Sequence, residues 1–281
     1  MALPFTKYQG LGNDFILIDH RDRTDLQVSP DQAIAWCDRH FGIGADGVIL
    51  LLSAPDQGYQ MRILNADGSE PEMCGNGIRC LAKFMQDLGI PPQSGRSAPY
   101  YQIHTLAGLI TTALEPDHLI GVDMGAPRLA AQEIPASLGV AAAPVINFPL
   151  TVAGHTWQVT TVSMGNPHCV VFVPDLAQID LTTLGPQFEH HPAFPQRINT
   201  EFVQVLSPNH LKMQVWERGA GITMACGTGA CAVVVAAVLN ELSDRTCRVS
   251  LPGGDLQICW QEQDDHVRMT GPAIKVFEGT I

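Results

Sequence analysis

The chain has few basic residues and no long hydrophobic run. Its 281 residues include 16 Lys and Arg against 28 Asp and Glu, so the net charge at neutral pH is −12. This excess of acidic residues argues against nucleic acid or an anionic membrane as a partner. No apolar run approaches the roughly 18 residues that span a bilayer, and residues 1–7 lack the apolar segment of a signal peptide. We therefore expect a globular protein of the cytoplasm.

The cysteines lack the spacing of a metal site or a disulfide framework. Eight are present, and none belongs to a Cys-x-x-Cys pair. The histidines show neither HxH nor HExxH spacing, and the pair His190-His191 fits a solvated loop, so no metal is expected. Without a secretion signal, reduced thiols that pack as small hydrophobic groups are the default. Only Cys74 and Cys226 precede a glycine at the start of a predicted helix.

A short motif containing these two cysteines occurs twice. Residues 74–77 read Cys-Gly-Asn-Gly and residues 226–229 read Cys-Gly-Thr-Gly. Met61 and Met213 begin similar apolar segments, and each precedes its cysteine by the same distance, since 74−61 and 226−213 are both 13. Similar segments recur upstream and downstream of both motifs. Self-similarity over this length predicts two copies of one domain rather than a solenoid.

The predicted domains are a first half, residues 1–126 with the tail 272–281, and a second half, residues 127–271. The Pro- and Ala-rich stretch 127–144 is interpreted as the connection, and the tail is expected to return to the first half. We predict an α/β (α+β) fold with two similar strand-rich, barrel-like domains, each wrapped around a central helix.

Hydrophobic periodicity places one prominent helix in each half. After Cys74, apolar residues follow the i, i+3, i+4 rule up to Leu88, and Gly89 ends the helix. The segment 230–239 is apolar on every side, which favours a buried helix. Strands are predicted at 15–19, 48–52, 59–64 and 212–216, and hairpins at 100–115 and 251–260.

Two thiols at helix N-termini suggest a proton-transfer chemistry. A helix N-terminus lowers the pKa of a thiol and attracts anions. Two such ends facing one another would hold a carboxylate between two sulfurs, an arrangement that suits removing a proton from one face of a carbon and returning it to the other. Backbone amides would stabilise the charge that develops, and losing one such donor typically costs about 3 kcal/mol.

The scarcity of lysine bears on the cofactor. Pyridoxal phosphate, the usual electron sink for deprotonating an amino acid, needs a Schiff-base lysine. The lysines are Lys7, Lys83, Lys212 and Lys275, and none lies in a glycine-rich segment typical of a site. A mechanism without a cofactor is therefore favoured.

Taken together, the motifs resemble those of the diaminopimelate epimerases. They are GLGNDF at 10–15, NADGSE at 65–70, CGNGIRC at 74–80, GNPH at 165–168, ERGAG at 217–221 and ACGTGA at 225–230. The resemblance covers essentially the whole chain. It implies two similar halves with the site in the cleft between them, and interconversion of LL- and meso-diaminopimelate without pyridoxal phosphate, in lysine and peptidoglycan precursor synthesis. It also implies a homodimer.

The resemblance further implies roles for individual residues. Cys74 and Cys226 would be the acid/base thiols, and His168 and Glu217 would tune them. The residues implied to bind substrate are Asn13, Asn65, Gly75, Asn76, Asn166, Asn199, Glu217, Arg218, Gly227 and Thr228. Two positions depart from the family pattern: Ile222 stands where many members carry Glu, and Gly47 where many carry Gln.

Other interpretations stay open at this point. His168 could cap a strand, Asn13 and Asn65 could serve turns, and Arg218 could be a surface charge. A proline or hydroxyproline racemase has the same two-cysteine architecture, although Glu217-Arg218 and several asparagines favour a longer substrate with a second polar end. A redox or metal-binding thiol protein is the alternative outside the enzymes.

Overall fold

The computed structural model describes residues 2–21, 28–54, 58–139 and 141–281. The chain divides into two compact units, Met1–Asp123 with Thr270–Ile281, and Met124–Met269. The boundaries placed from sequence at 126 and 272 lie within a few residues of these. Within the described residues, none of the helices has the length and apolar character needed to cross a membrane.

The first unit is a run of eight strands with two helices. Its strands are β1 (Pro4–Gly10), β2 (Asn13–Asp19), β3 (Gly47–Ser53), β4 (Tyr59–Asn65), β5 (Tyr100–Thr105), β6 (Gly108–Leu114), β7 (Leu119–Asp123) and β17 (Ile274–Thr280). Its helices are α1 (Pro30–Cys37) and α2 (Gly75–Asp87). Neighbours pair in the order β17-β1-β2-β3-β4-β5-β6-β7, with β2–β3 and β4–β5 parallel and the other pairs antiparallel.

The second unit repeats this pattern. Its strands are β8 (Phe148–Val152), β9 (His155–Ser163), β10 (Pro167–Phe172), β11 (Asn199–Ser207), β12 (His210–Glu217), β13 (Gly221–Ile222), β14 (Thr246–Leu251) and β15 (Gly254–Trp260). Its helices are α3 (Leu181–Glu189) and α4 (Gly227–Leu239), and strand β16 (Val267–Pro272) leads back into the first unit. Along β8-β9-β10-β11-β12-β14-β15, the pairs β10–β11 and β12–β14 are parallel, at the same places in the order as the parallel pairs of the first unit.

Each unit has one central helix, as predicted. Helix α2 packs against β1, β2, β6 and β7, and α4 packs against β9, β10, β11 and β15. Residues 230–237 of α4 are all buried, which explains why its sequence is apolar on every side. Gly89 follows α2 with φ 71°, a conformation that glycine adopts without strain. The predicted start of α4 at Ala230 is three residues late, because the glycine-rich motif itself forms its first turn.

Two sequence-based interpretations need correction. Residues 127–144 are more than a connection, because Ala131, Ile134 and Leu138 are buried in the core of the second unit. The hairpin assigned to 251–260 exists, but its first strand begins at Thr246 and the turn follows Leu251. Buried Cys247, Val249 and Leu251 alternate with outward-facing residues in β14, a strand pattern that the sequence analysis did not use.

The tail returns to the first unit as the sequence predicted. Strand β17 pairs antiparallel with β1, and Phe277 lies edge-on to Phe5 with ring centroids 5.9 Å apart. Backbone hydrogen bonds join Leu3 and Ile281 in both directions. The last strand therefore completes the sheet of a unit whose other elements precede residue 124.

Candidate active site

In the first unit, the thiol of Cys74 lies at the N-terminus of α2. Cys74 is the N-cap, and its Sγ accepts a hydrogen bond from the backbone N–H of Gly77 at 3.4 Å. The thiol is also within 3.8 Å of Asn13 Oδ1. The half-buried thiol therefore meets the amide-rich end of the helix, as the sequence predicted.

Asn13 is held in place by an acidic residue that the sequence analysis missed. Its Nδ2 donates to Asp46 Oδ2 at 2.7 Å, and its Oδ1 accepts from Asn76 Nδ2 at 3.2 Å. The other carboxylate oxygen of Asp46 accepts from Arg39 at 2.7 Å. Asp46 therefore orients the side chain that contacts the thiol of Cys74. Its position between glycine-rich residues just before a buried strand was the available signal.

A second missed residue, Arg79, lies fully buried in α2. Its guanidinium donates to the carbonyl oxygen of Gly75 at 3.2 Å and to Asn76 Oδ1 at 2.9 Å. These bonds leave Asn76 Nδ2 directed at Asn13. Asn65 is placed differently: its Nδ2 donates to Ser69 Oγ at 2.9 Å, within the turn after β4.

In the second unit, a chain of polar contacts leads to Cys226. Cys226 is the N-cap residue of α4, and its buried thiol lies 3.6 Å from Thr228 Oγ1, which accepts from Asn166 Nδ2 at 3.2 Å. Asn166 Oδ1 is 3.0 Å from His168 Nε2, and His168 Nδ1 is 2.6 Å from Glu201 Oε1. His168 and Glu201 are both fully buried. The structure thus brings together four predicted residues and adds Glu201, which no motif indicated.

The surroundings of Cys226 correct an expectation from sequence. The helix N-terminus alone would lower the thiol pKa, but burial raises the pKa of Cys226 well above its ordinary value, and the charges of Glu217 and Glu201 raise it further. The Thr228 hydroxyl and the Gly229 amide oppose this rise without cancelling it. The prediction of a lowered pKa is therefore wrong for Cys226, because desolvation outweighs the helix end.

The remaining predicted residues surround the end of β12. Asn199 is buried, donates to the carbonyl oxygen of Pro167 at 2.7 Å and accepts from the backbone N–H of Arg218 at 2.9 Å. Its side chain thus fixes the backbone at Arg218. Arg218 is exposed and gives one N–H to the carbonyl oxygen of Gln196 at 3.1 Å. Glu217 accepts from the Thr223 hydroxyl.

Residues 5–130 and 160–276 match the family model for diaminopimelate epimerase. The chain belongs to the diaminopimelate epimerase family. The match spans both cysteine motifs and most of both units, so the family assignment rests on the whole duplicated architecture.

Full-length relatives agree with this family, and a solved structure shares its fold. A diaminopimelate epimerase from Cyanothece sp. is 62% identical over 282 residues, covering 100% of both chains. Diaminopimelate epimerase 1 from Nostoc sp. is 62% identical over 283 residues, again with full coverage. Among solved structures, a phenazine biosynthesis protein of the PhzF family from Bacillus anthracis superposes with a TM-score of 0.68 at 15% identity, covering 100% of this chain and 99% of that one. The last likeness shows a shared fold and confirms the predicted class.

The two departures from the family pattern have different surroundings. A Cβ at Gly47 would lie 2.7 Å from the carbonyl oxygen of Leu64, so the close approach of β3 to β4 requires glycine here. Ile222 pairs with Trp216 and is 53% exposed, and it offers no polar group. In the described part of the chain, no group of three or more His, Cys, Asp or Glu is arranged to hold a metal.

Proposed function

We propose that this protein is a pyridoxal-phosphate-independent epimerase that interconverts LL- and meso-diaminopimelate, with Cys74 and Cys226 as its two acid/base groups. The observation that carries the proposal is the full-length 62% identity to diaminopimelate epimerases, together with a thiol at the N-cap of the central helix in each unit. The reaction serves lysine and peptidoglycan precursor synthesis.

In the proposed reaction, one sulfur removes the α-proton and the other replaces it on the opposite face. The C–H bond breaks as an S–H bond forms on the thiolate, and the electron pair stays on the α-carbon. The second S–H bond then breaks and a new C–H bond forms. The substrate leaves inverted, and the protonated and deprotonated thiols have exchanged roles. When substrate binds, one sulfur must therefore be a thiolate and the other a protonated thiol.

The α-carboxylate is proposed to bind at the first turns of α2 and α4. Gly75 with Asn76, and Gly227 with Thr228, present backbone N–H groups there, and helix ends favour a negative charge. As the proton leaves, charge spreads onto this carboxylate, so the same donors stabilise the carbanion.

The distal end of the substrate needs a separate set of polar groups. Asn199 holds the backbone of Arg218, whose exposed guanidinium suits a second carboxylate. Glu217 is suited to an ammonium group. The further residues proposed to bind substrate are Asn13, Asn65 and Asn166, while His168 is proposed to tune Cys226 through Asn166.

The decisive test is exchange of the substrate α-proton into deuterium oxide without added cofactor. We expect exchange on LL-diaminopimelate and none on proline. Cys74→Ser and Cys226→Ser should each reduce turnover by at least about 100-fold, since general acid–base groups contribute roughly that much or more. Cys259→Ser is the matched control, because this half-buried thiol belongs to neither cysteine motif and lies within hydrogen-bond distance of Thr246 on β14 and of Gln261. Exchange on proline alone, or full activity of either active-site variant, would contradict the proposal.

The location and assembly state complete the proposal. We expect a cytoplasmic homodimer, as the family resemblance implies. Light scattering on the purified chain should give a mass near twice 30.3 kDa.

A further inference from the structure

Glu201 places a buried carboxylate beside the thiol of Cys226, outside every motif that identifies the family here. Its side chain has 0% exposure, and its Oε1 is 2.6 Å from His168 Nδ1. Within the described ranges, its other oxygen, Oε2, has no hydrogen-bond partner. A buried carboxylate is costly unless it is paired. The presence of this carboxylate beside the thiol proposed as an acid/base group therefore points to a role in the reaction.

The first turn of α4 is built to admit this carboxylate. A Cβ at Gly229 would lie 2.7 Å from Glu201 Oε1 and 3.2 Å from Cys226 Sγ. Because both distances are measured from one point, the carboxylate oxygen and the sulfur lie within about 6 Å of each other. At this separation in a buried site, a negative charge acts strongly on the thiolate form. Glycine at 229 leaves out the Cβ that would crowd both groups.

The contacts of His168 favour an ionised Glu201. One ring nitrogen faces the Glu201 carboxylate, and the other faces Asn166 Oδ1 at 3.0 Å. Asn166 Oδ1 can only accept, so His168 Nε2 carries an N–H, and an ionised Glu201 would accept a second N–H from Nδ1. Burial raises the pKa of Glu201, and the charge and hydrogen bond of His168 oppose that rise.

We infer that Glu201 is a positioning residue for the epimerase reaction, holding His168 against Asn166 and keeping Cys226 protonated in the free enzyme. The inference rests on the proposed function and deepens it. Asn166 in turn donates to Thr228, whose hydroxyl touches Cys226 Sγ. The carboxylate thus acts on the thiol both directly by charge and through this chain of contacts.

Other groups around Cys226 act in the same region and must be kept constant in a test. Glu217 on β12 repels the thiolate, and the pKa of Cys169 on β10 is raised by burial and by the charge of Glu201. Among the described groups named here, only His168 can carry a positive charge that opposes the negative charges of Glu201 and Glu217. A change at Glu201 alone isolates its part.

The test measures alkylation of Cys226 by iodoacetamide as a function of pH, in a Cys74→Ser background. The thiolate sulfur displaces iodide, so the rate follows the thiolate fraction. Glu201→Gln keeps the side-chain shape and removes the charge. In Glu201→Gln we expect the pH midpoint of Cys226 alkylation to fall by about one unit. This is the effect of removing one charge about 6 Å away, after partial compensation by His168.

Thr200→Val is the matched control. Thr200 is the neighbouring buried residue of β11, and its hydroxyl has no partner within the described ranges. The valine variant should leave the alkylation midpoint unchanged. Its free energy of unfolding should be unchanged or slightly raised, since the substitution removes an unsatisfied buried hydroxyl. A midpoint that stays constant or rises in Glu201→Gln would overturn the inference.

A second measurement needs no change at Glu201 and covers the case in which that variant fails to fold. Nitrogen-15 spectra of the wild-type protein, assigned with His168→Gln, should show protons on both ring nitrogens of His168 at neutral pH. A bare Nδ1 would mean a protonated, uncharged Glu201 and would also overturn the inference. Absence of α-proton exchange by the wild-type protein would instead reject the proposed function, and the thiol titration would remain interpretable.

Discussion

Asn13 and Asn166 correspond in the two copies of the duplicated domain. Asn13 contacts the Cys74 thiol, and Asn166 contacts Thr228 beside the Cys226 thiol. Asn13 is within reach of Cys74 and is oriented directly by Asp46. Asn166 reaches Cys226 through Thr228 and is oriented by His168. The same amide thus has an acidic residue behind it in one unit and a histidine–carboxylate pair in the other. Duplication preserved the amide, while its support diverged.

Removing the charge of Asp46 should weaken catalysis without unfolding the protein. In Asp46→Asn, one of the bonds to Asn13 and Arg39 is lost, because a neutral amide has a single accepting oxygen. Hydrogen bonds to charged groups contribute roughly 1.5–3 kcal/mol, so kcat/KM should fall about tenfold or more.

Steady-state epimerisation, measured by optical rotation or a coupled assay, checks this expectation. Asp38→Asn is the control, since the exposed Asp38 accepts only backbone N–H groups of His40 and Phe41, which an amide oxygen can still accept. Equal kcat/KM for wild type and Asp46→Asn would show that Asn13 does not depend on this carboxylate.

The central helices α2 and α4 begin with the same glycine-rich turn but differ in what surrounds it. At Gly77, a Cβ would meet the ends of the Ile49 and Met61 side chains at 2.9 and 3.3 Å, and such ends can move. At Gly229, a Cβ would lie 2.7 Å from the carboxylate of Glu201, which His168 holds in place. The glycine of α4 is therefore required by a buried contact, and that of α2 is not required to the same degree.

Alanine at these two matched positions should affect the stability of the protein differently. Gly229→Ala should lower the free energy of unfolding by about 1–3 kcal/mol, the usual cost of overpacking, and also reduce activity. Gly77→Ala should be nearly neutral, since the higher helix propensity of alanine, roughly 1 kcal/mol, offsets the adjustment of Ile49. Urea unfolding of both variants measures the difference, and equal losses would argue against the role given to Glu201.

At the scale of the whole molecule, the last strand makes the first unit depend on both ends of the chain. β17 pairs along β1 from Pro4 to Gln9, and Phe277 packs against Phe5, which is itself only 7% exposed. Lys275 and Glu278 form an exposed ion pair on the same strand. Closing the first unit therefore requires a strand that follows the whole second unit in sequence.

Deleting residues 274–281 should destabilise the first unit by more than about 3 kcal/mol. The loss exposes Phe5 and leaves one edge of β1 unpaired, and burying one large side chain alone contributes about 1.5–3 kcal/mol. Urea unfolding followed by circular dichroism should show an earlier transition. Glu278→Gln, which breaks only the exposed ion pair, should change stability by less than about 1 kcal/mol. An unshifted transition in the deletion variant would refute this dependence.

Local patterns were sufficient for much of the fold and part of the site. The spacing after Cys74, the apolar segment after Cys226 and the matched offsets between the halves predicted two strand-rich units with a central helix each, and the structure and family confirm this. The start of β14 was missed although its residues alternate between polar and apolar, and buried residues within 127–144 were mistaken for a connection. Short-range periodicity does not report which distant segment will cover a residue.

By itself, the sequence determined the duplication, the placement of two cysteines at helix N-termini and the membership of a family, since these depend on residue order and spacing. Only the tertiary structure decided the electrostatics of each thiol. The parallel pairing of β10 with β11 brings Glu201 to His168 across 33 positions of sequence, and folding buries both next to Cys226. A thiol pKa depends on desolvation and on charges brought close in space, so residues distant in sequence determine it.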